Sequence, residues 1–225
     1  MAEASSSRVA LVTGASRGLG AALAETLAFR GWQVVAVART VGGLEDLDDR
    51  VKAAKLPGAG TLTLAPMDIT NDDAMRHLCR SIHDRWGGLG LWVHAAIHAA
   101  PLAPMGSLDQ KDWDKSIATN TRATGTLIPM LEPLLRAQGR GTALFLDDPR
   151  AGQPFFGAYG ATKAAQIALA RSWQAETANL PTVRVVIDTP APLPTATRAR
   201  FFPGEDRAKL ADPRSEAERI ITALA

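Results

Sequence analysis

The stretch Val9-Ala-Leu-Val-Thr-Gly-Ala-Ser-Arg-Gly-Leu-Gly20 is a short apolar run that stops at a glycine-rich turn. Its first four residues are typical of a strand buried in a parallel sheet. Gly14, Gly18 and Gly20 allow the chain to turn and to approach a ligand closely. From about Leu19 the leucine spacing predicts a helix whose free N–H groups face an anion. The stretch predicts a site for a nucleotide diphosphate, although small residues also serve plain strand–helix packing.

The composition describes a globular chain with little net charge. Its 225 residues suit one α/β domain, 46% of them are hydrophobic, and the formal net charge is +2. No apolar run reaches the ~18 residues of a membrane helix, and the basic residues are scattered. We therefore expect a cytoplasmic protein that binds neither membranes nor nucleic acid. The four histidines and the lone Cys79 show no ligand grouping, so we expect no metal site and a packing role for the cysteine.

Strand and helix patterns alternate along the chain. The predicted strands are 9–12, 33–38, 60–67, 89–96, 142–146 and 181–188. This alternation predicts a doubly wound parallel sheet, a Rossmann-like fold, as a single domain over 1–225. We expect a polar tail over 1–7 and a substrate-side loop over 190–214. A long helical region over 108–138 contains Pro129 and Pro133, which predicts a kink or a division there.

The carboxyl ends of the strands bring candidate site residues to one edge of the sheet, where such folds bind ligands. These residues are Gly14, Arg39, Asp68, Ala95, Asp148 and Thr189. A nucleotide with a free ribose 2′-hydroxyl is typically met by an acid at the end of the second strand. This chain has Arg39 there and Arg17 in the glycine turn. Two guanidinium groups suit a 2′-phosphate, and the alternative is a pair of solvated surface arginines.

Tyr159 and Lys163 are four residues apart in helical sequence, which places them on one face. A free tyrosine has a pKa of about 10, and an adjacent ammonium is expected to lower it toward the range useful for proton transfer. The glycine pattern Thr13-Gly-x-x-x-Gly-x-Gly20 together with Tyr159-x-x-x-Lys163 resembles the short-chain dehydrogenase/reductase family. The resemblance covers nearly the whole chain.

The resemblance implies roles for matching positions. Tyr159 exchanges a proton with the substrate oxygen, Lys163 tunes it and holds the nicotinamide ribose, and Asn120 breaks a helix and holds a water for a proton relay. Asp68 bonds the adenine ring, and Thr195 contacts the nicotinamide amide. The implied cofactor-binding set is Gly14, Ser16, Arg17, Gly18, Leu19, Gly20, Arg39, Asp68, Ile69, Ala95, Ala96, Tyr159, Lys163 and Thr195.

Several positions depart from the family pattern. Asp147 and Asp148 stand where the family has a serine pair, so the catalytic serine is replaced. Only Ala96 of the segment 94–97 matches, and His94 is expected to be a core or strand-end residue. A protonated Asp148 would donate a hydrogen bond as serine does, whereas an ionised one, held by Lys163 or Arg150, only accepts. The family's last strand is missing, which predicts six strands rather than seven.

These observations predict an NADP(H)-dependent oxidoreductase acting on a small carbonyl or alcohol substrate, with Asn120, Tyr159, Lys163 and Asp148 as catalytic candidates. The alternative is a catalytically weak or inactive dinucleotide-binding regulatory protein on the same scaffold, which the lost serine favours. Phe155, Phe156, Phe201 and Phe202 suggest an apolar pocket, a core cluster or a subunit contact. The two long helices around Asn120 and Tyr159 predict a homodimer.

Overall fold

Six short apolar segments form one parallel sheet in a computed structural model that describes residues 8–224. In chain order they are β1 (Val9–Thr13), β2 (Gln33–Ala38), β3 (Leu62–Pro66), β4 (Leu91–His94), β5 (Gly141–Leu146) and β6 (Val183–Asp188). Their spatial order is β3-β2-β1-β4-β5-β6. The chain reverses direction across the sheet between β1 and β4, so a crevice opens there at the carboxyl ends. This arrangement confirms the predicted Rossmann-like sheet; the tail predicted over 1–7 lies outside the described residues.

Eight α-helices in the described part of the chain connect or flank these strands. They are α1 (Gly18–Phe29), α2 (Val41–Ala54), α3 (Asp72–Trp86), α4 (Gln110–Ser116), α5 (Ala123–Ala137), α6 (Gly157–Thr177), α7 (Ala196–Phe201) and α8 (Pro213–Leu224). Within residues 8–224, none of the helices is both long and apolar enough to cross a membrane.

Apolar layers cover both faces of the sheet. Because successive side chains of a strand point to opposite faces, each strand contributes to both layers. Val9 and Leu11 belong to an apolar layer that also contains Trp92, Phe145 and Trp173. Ala10 and Val12 belong to the other layer, formed with apolar residues of α1, α2 and α8. The half-buried Cys79 packs against the first layer, and burial raises the pKa of its thiol to about 11. The expected packing role of Cys79 is confirmed.

The predicted helical region over 108–138 is divided, but not at its prolines. The irregularity is a π-helical turn over Ile117–Arg122, between α4 and α5. Pro129 and Pro133 lie inside α5, and both are exposed. The carbonyl groups that these prolines leave without a helical partner therefore lie on the solvent side, where water can bond them. The prediction of a proline-directed break was wrong.

The segment predicted as a loop over 190–214 contains two helical pieces. The helix α7 begins where the Thr195 hydroxyl accepts a hydrogen bond from the backbone N–H of Arg198, at 3.2 Å. A 3₁₀ turn follows over Arg207–Lys209, where Asp206 makes a similar cap. Threonine and aspartate are common helix caps, so the sequence carried a local signal for both pieces that its proline content outweighed in the prediction.

Candidate functional site

A single cleft of about 1040 Å³ opens at the carboxyl ends of the strands. Every predicted strand-end residue lines it, as does every predicted cofactor-binding residue. Asn120 does not line the cleft and is fully buried behind it. In the described part of the chain, no group of three or more histidine, cysteine or acidic residues is placed to hold a metal ion.

The glycine turn is as tight as its sequence predicts. Gly14 and Gly18 have positive φ angles of 80° and 57°. A Cβ on Gly14 would lie 2.6 Å from the backbone nitrogen of Ala96, and one on Gly20 would lie 2.3 Å from the carbonyl oxygen of Gly14. The helix α1 begins at Gly18 without a side-chain cap. Its first N–H groups are therefore free for an anion in the cleft.

Positive charge lies at the β2 end of the cleft. Arg17 and Arg39 are both exposed there, and Arg39 lies 3.7 Å from a carboxylate oxygen of Asp68. The other Asp68 oxygen accepts hydrogen bonds from the backbone N–H and the hydroxyl of Thr70, both at 2.9 Å. Asp68 is thus fixed by the chain that follows it, while Arg39 is held only loosely.

One charged cluster beside the cleft was missed by the sequence reasoning. Glu25 is 3% exposed although it carries a charge. It accepts from Arg50 at 3.1 Å and from Arg214 at 3.0 and 3.2 Å, which ties α1 to α2 and α8. A single acid within the apolar stretch of α1 was the available signal, because a buried carboxylate requires partners.

Tyr159 and Asp148 meet at the other end of the cleft. The tyrosine hydroxyl donates to Oδ2 of Asp148 at 3.0 Å, and Nε of Arg150 donates to Oδ1 at 2.8 Å. Burial raises the pKa of Tyr159 well above its ordinary value, the charge of Asp148 raises it further, and Arg150 only partly opposes them. Asp147 instead faces Arg171 at 3.9 Å. Of the two candidate aspartates, it is Asp148 that contacts the tyrosine.

The expectation that Lys163 lowers the pKa of Tyr159 was wrong for this arrangement. Lys163 is 5% exposed, and its ammonium donates to Oε1 of Gln166 at 2.6 Å. Its charge is therefore satisfied one turn further along α6 rather than at the phenol oxygen. Burial lowers the pKa of Lys163 to about 8, against the opposing effect of Asp147 and Asp148.

A buried polar chain continues from Gln166 to the end of β1. Gln166 donates to the hydroxyl of Thr124 at 3.1 Å, and Thr124 lies 2.9 Å from Nε2 of His94. The other ring nitrogen of His94 lies 2.8 Å from the hydroxyl of Thr13. Burial, aided by the charge of Lys163, lowers the pKa of His94 to about 3, so the ring is neutral. The expected placement of His94 at a buried strand end is confirmed.

Asn120 lies in the π-helical turn and joins two segments. Its Oδ1 accepts from the backbone N–H of His98 at 2.7 Å, and its amide group donates to the His98 carbonyl and to the Thr162 hydroxyl, both at 2.9 Å. Its backbone carbonyl accepts from Thr124 at 2.9 Å. Both amide hydrogens are thus used within the protein, and the side chain fixes the segment after β4 against α6.

Apolar side chains wall the cleft around Tyr159. The ring of Phe201 lies 5.0 Å from the Tyr159 ring, and that of Phe156 lies 5.1 Å from Phe201. The guanidinium of Arg150 stacks between Phe156 and Phe202, at 5.6 and 5.3 Å from the ring centroids. Phe155 points away and is 57% exposed. Three of the four predicted phenylalanines therefore form one apolar cluster, and Phe201 and Phe202 of that cluster line the cleft.

Comparison with known proteins agrees with this geometry. The family model for short chain dehydrogenase matches residues 8–206. Sorbitol dehydrogenase of Cereibacter sphaeroides is 30% identical over 224 residues, which covers 96% of this chain and 82% of that protein. Cis-4-hydroxycyclohexanecarboxylate dehydrogenase of Sinomonas cyclohexanicum is 32% identical, with 98% and 90% covered. The chain belongs to the short-chain dehydrogenase family of oxidoreductases.

A solved structure resembles the whole fold. A short-chain dehydrogenase of Escherichia coli CFT073, crystallised with NADPH, superposes with a TM-score of 0.85 at 28% sequence identity. The superposition covers 96% of this chain and 89% of that one.

Proposed function

We propose that this oxidoreductase uses NADP(H) to interconvert a small carbonyl compound and its alcohol, with Tyr159 exchanging the proton. The observation that carries the proposal is the continuity of the cleft, which contains the glycine turn, Arg39 and Tyr159 together. A dinucleotide with its phosphates at the start of α1 would lie in the same cleft as the tyrosine. The relative solved with NADPH supports this cofactor type.

The chain's own residues fit such a cofactor. The uncapped N-terminus of α1 and the missing side chains of the glycine turn leave room and donors for a diphosphate. Arg17 and Arg39 supply the charge for a 2′-phosphate. All of Asp68, Ile69, Ala95, Ala96 and Thr195 line the cleft. Asp68 and Ile69 are proposed to contact the adenine, and the other three to line the path toward the nicotinamide.

When bound, the cofactor supplies the hydride in reduction. Tyr159 then releases its hydroxyl proton to the substrate oxygen. Lys163, on the same helix face, would hold the nicotinamide ribose. Asn120 positions the loop after β4 and the helix α6 that carries Tyr159. Asp148 and Arg150 control whether the tyrosine hydrogen is directed to the substrate or back to the protein.

A second function is favoured by one contact. Because Tyr159 gives its hydrogen to Asp148, the second candidate is a regulatory protein that holds the dinucleotide without turnover. Measuring cofactor binding and turnover separately distinguishes the two functions. Tight NADPH binding with no ketone reduction, in the wild type and in Asp148→Ser alike, favours the regulatory protein. Turnover that is abolished by Tyr159→Phe while NADPH still binds supports the enzyme.

Cofactor choice is tested by Arg39→Asp. We expect the affinity for NADPH to fall by about tenfold or more, because a charge-assisted contact is lost and the new acid repels the phosphate. NADH binding should remain or improve. Arg140→Asp, an exposed substitution before the amino end of β5, is the matched control and should leave both affinities unchanged. The measurement is fluorescence titration with both reduced cofactors, and tighter NADH binding by the wild type would contradict NADP(H) preference.

A further inference from the structure

The carboxylate of Asp148 presents a hydrogen-bond acceptor where the substrate oxygen arrives. Its Oδ2 receives the only hydrogen of the Tyr159 hydroxyl, at 3.0 Å, while Oδ1 is occupied by Arg150. A ketone oxygen that takes the tyrosine hydrogen leaves Oδ2 without its donor. Two acceptors then face each other at close range beside the buried Tyr159 side chain, which is unfavourable although Asp148 itself is only partly buried. A simple ketone is therefore a poor match to this site.

A substrate with a donor beside its carbonyl group resolves this conflict. The phenol oxygen of Tyr159 and Oδ2 of Asp148 are 3.0 Å apart. Two substrate oxygens on neighbouring carbon atoms that point to the same side are about as far apart, so each can form a hydrogen bond with one of these two protein oxygens. One substrate oxygen can accept from Tyr159 while the neighbouring hydroxyl donates to Oδ2 of Asp148. Every donor and acceptor in this ring of contacts is then paired.

The charges around Asp148 favour a neutral donor. Arg150 contacts Asp148 itself, Lys163 is buried nearby, and Arg198 is paired with Glu205 at 2.5 and 2.6 Å. On the acidic side, Asp147 is turned toward Arg171. A cationic group at Oδ2 would approach Arg150 closely and be repelled, whereas a hydroxyl would not.

We infer that the substrate is an α-hydroxy ketone, or the corresponding vicinal diol, whose remainder is apolar. Phe201 and Phe202, which line the cleft with Tyr159, offer an apolar surface to that remainder. Asp148 thereby acts as a specificity-determining residue, and the inference rests on the proposed function. In reduction, the hydride of a reduced nicotinamide forms the new C–H bond, the C=O π bond opens, and its oxygen takes the Tyr159 proton. Solvent returns a proton to the phenolate, and the α-hydroxyl is unchanged.

Four ketones of the same frame test this inference with NADPH as reductant. They are α-hydroxyacetophenone, α-methoxyacetophenone, propiophenone and α-aminoacetophenone. The wild type should reduce the hydroxy compound about tenfold or more faster than the methoxy compound, which can only accept. In Asp148→Ser this ratio should fall toward one, because serine donates to any carbonyl. Equal rates for the hydroxy and methoxy compounds in the wild type, or a preference for the amino compound, would overturn the inference.

Binding without cofactor supplies a readout that does not depend on turnover. Calorimetry should show α-hydroxyacetophenone binding more tightly than α-methoxyacetophenone to the wild type and equally to Asp148→Ser. If no ketone is reduced by either protein, the proposed function fails, and this binding difference still decides the inference. Equal binding of both compounds to the wild type overturns it. Asp147→Ser, which leaves the contact with Tyr159 in place, should keep the wild-type preference.

Discussion

At the residue scale, the site differs from one with a serine at this position in the oxygen that faces Tyr159, which is Oδ2 of Asp148. Serine donates a hydrogen bond and carries no charge, whereas a carboxylate only accepts and repels the negative charge that develops on the substrate oxygen. Asp148→Ser should therefore raise the rate of acetophenone reduction by about tenfold.

The control for this prediction is the neighbouring acid. Asp147 faces Arg171 rather than Tyr159, so Asp147→Ser should change the rate little. Initial rates of acetophenone reduction, with NADPH binding checked for each variant, provide the measurement. Unchanged activity in Asp148→Ser would contradict a serine-like position for Asp148.

The orientation of Lys163 was beyond the reach of sequence reasoning. The spacing of Tyr159 and Lys163 correctly places both on one face of α6, and both are buried beside the cleft. What spacing cannot supply is the competing acceptor, the side-chain oxygen Oε1 of Gln166 one turn away. A buried ammonium must bond to whatever acceptor the fold provides, and that choice depends on tertiary packing.

At the element scale, the strands and the glycine turn follow from local pattern. A buried parallel strand needs a continuous apolar run, and a turn of this kind needs glycine, so both leave plain signals in the sequence. The π-helical turn at Ile117–Arg122 leaves no such signal. It is stabilised by Asn120 bonding to His98 and Thr162, which are distant in sequence. The predicted helix break therefore had the wrong cause and the wrong position.

The glycine turn gives a prediction for stability. Gly20→Ala should lower the free energy of unfolding by about 1–3 kcal/mol, because the new methyl group meets the Gly14 carbonyl and forces the backbone apart. Gly42→Ala is the matched control in α2, where a Cβ meets nothing within 4 Å. It should be neutral or stabilise by up to about 1 kcal/mol, because alanine favours a helix over glycine.

Urea unfolding followed by circular dichroism measures both glycine variants. The prediction fails if Gly20→Ala is as stable as the wild type. Comparing NADPH binding in the same two proteins shows whether the turn shapes the cofactor site, because only Gly20→Ala should weaken it.

At the scale of the whole molecule, His94 couples stability to pH. Its pKa is lowered from 6.5 to about 3 in the fold, so between these values the unfolded chain binds a proton that the folded chain does not. The free energy of unfolding should therefore be greatest above about pH 6.5 and fall as the pH decreases, by up to about 1.4 kcal/mol per pH unit.

Variants at two histidines isolate this effect. His94→Asn should be less stable at neutral pH, because it disturbs the bonds to Thr13 and Thr124, but should lose less stability on acidification. His77→Asn, at an exposed position of α3, should retain the wild-type slope. Unfolding should be compared between about pH 7.5 and pH 5.5, above the range in which ordinary carboxylates titrate. An identical slope in wild type and His94→Asn would contradict the prediction.

The predicted homodimer would form through the outer faces of α5 and α6. Ala161, Ala164 and Ala168 are exposed along α6, and Gly125 is exposed on the neighbouring α5. Small side chains allow helices from two copies to approach closely, and a two-fold axis would pair this face with itself. Ala164→Arg should therefore convert a dimer to monomers, whereas Ala53→Arg, on the exposed side of α2, should leave the dimer intact. Light scattering at micromolar concentration measures both, and a wild-type monomer or tetramer, or a dimer that survives Ala164→Arg, would count against this interface.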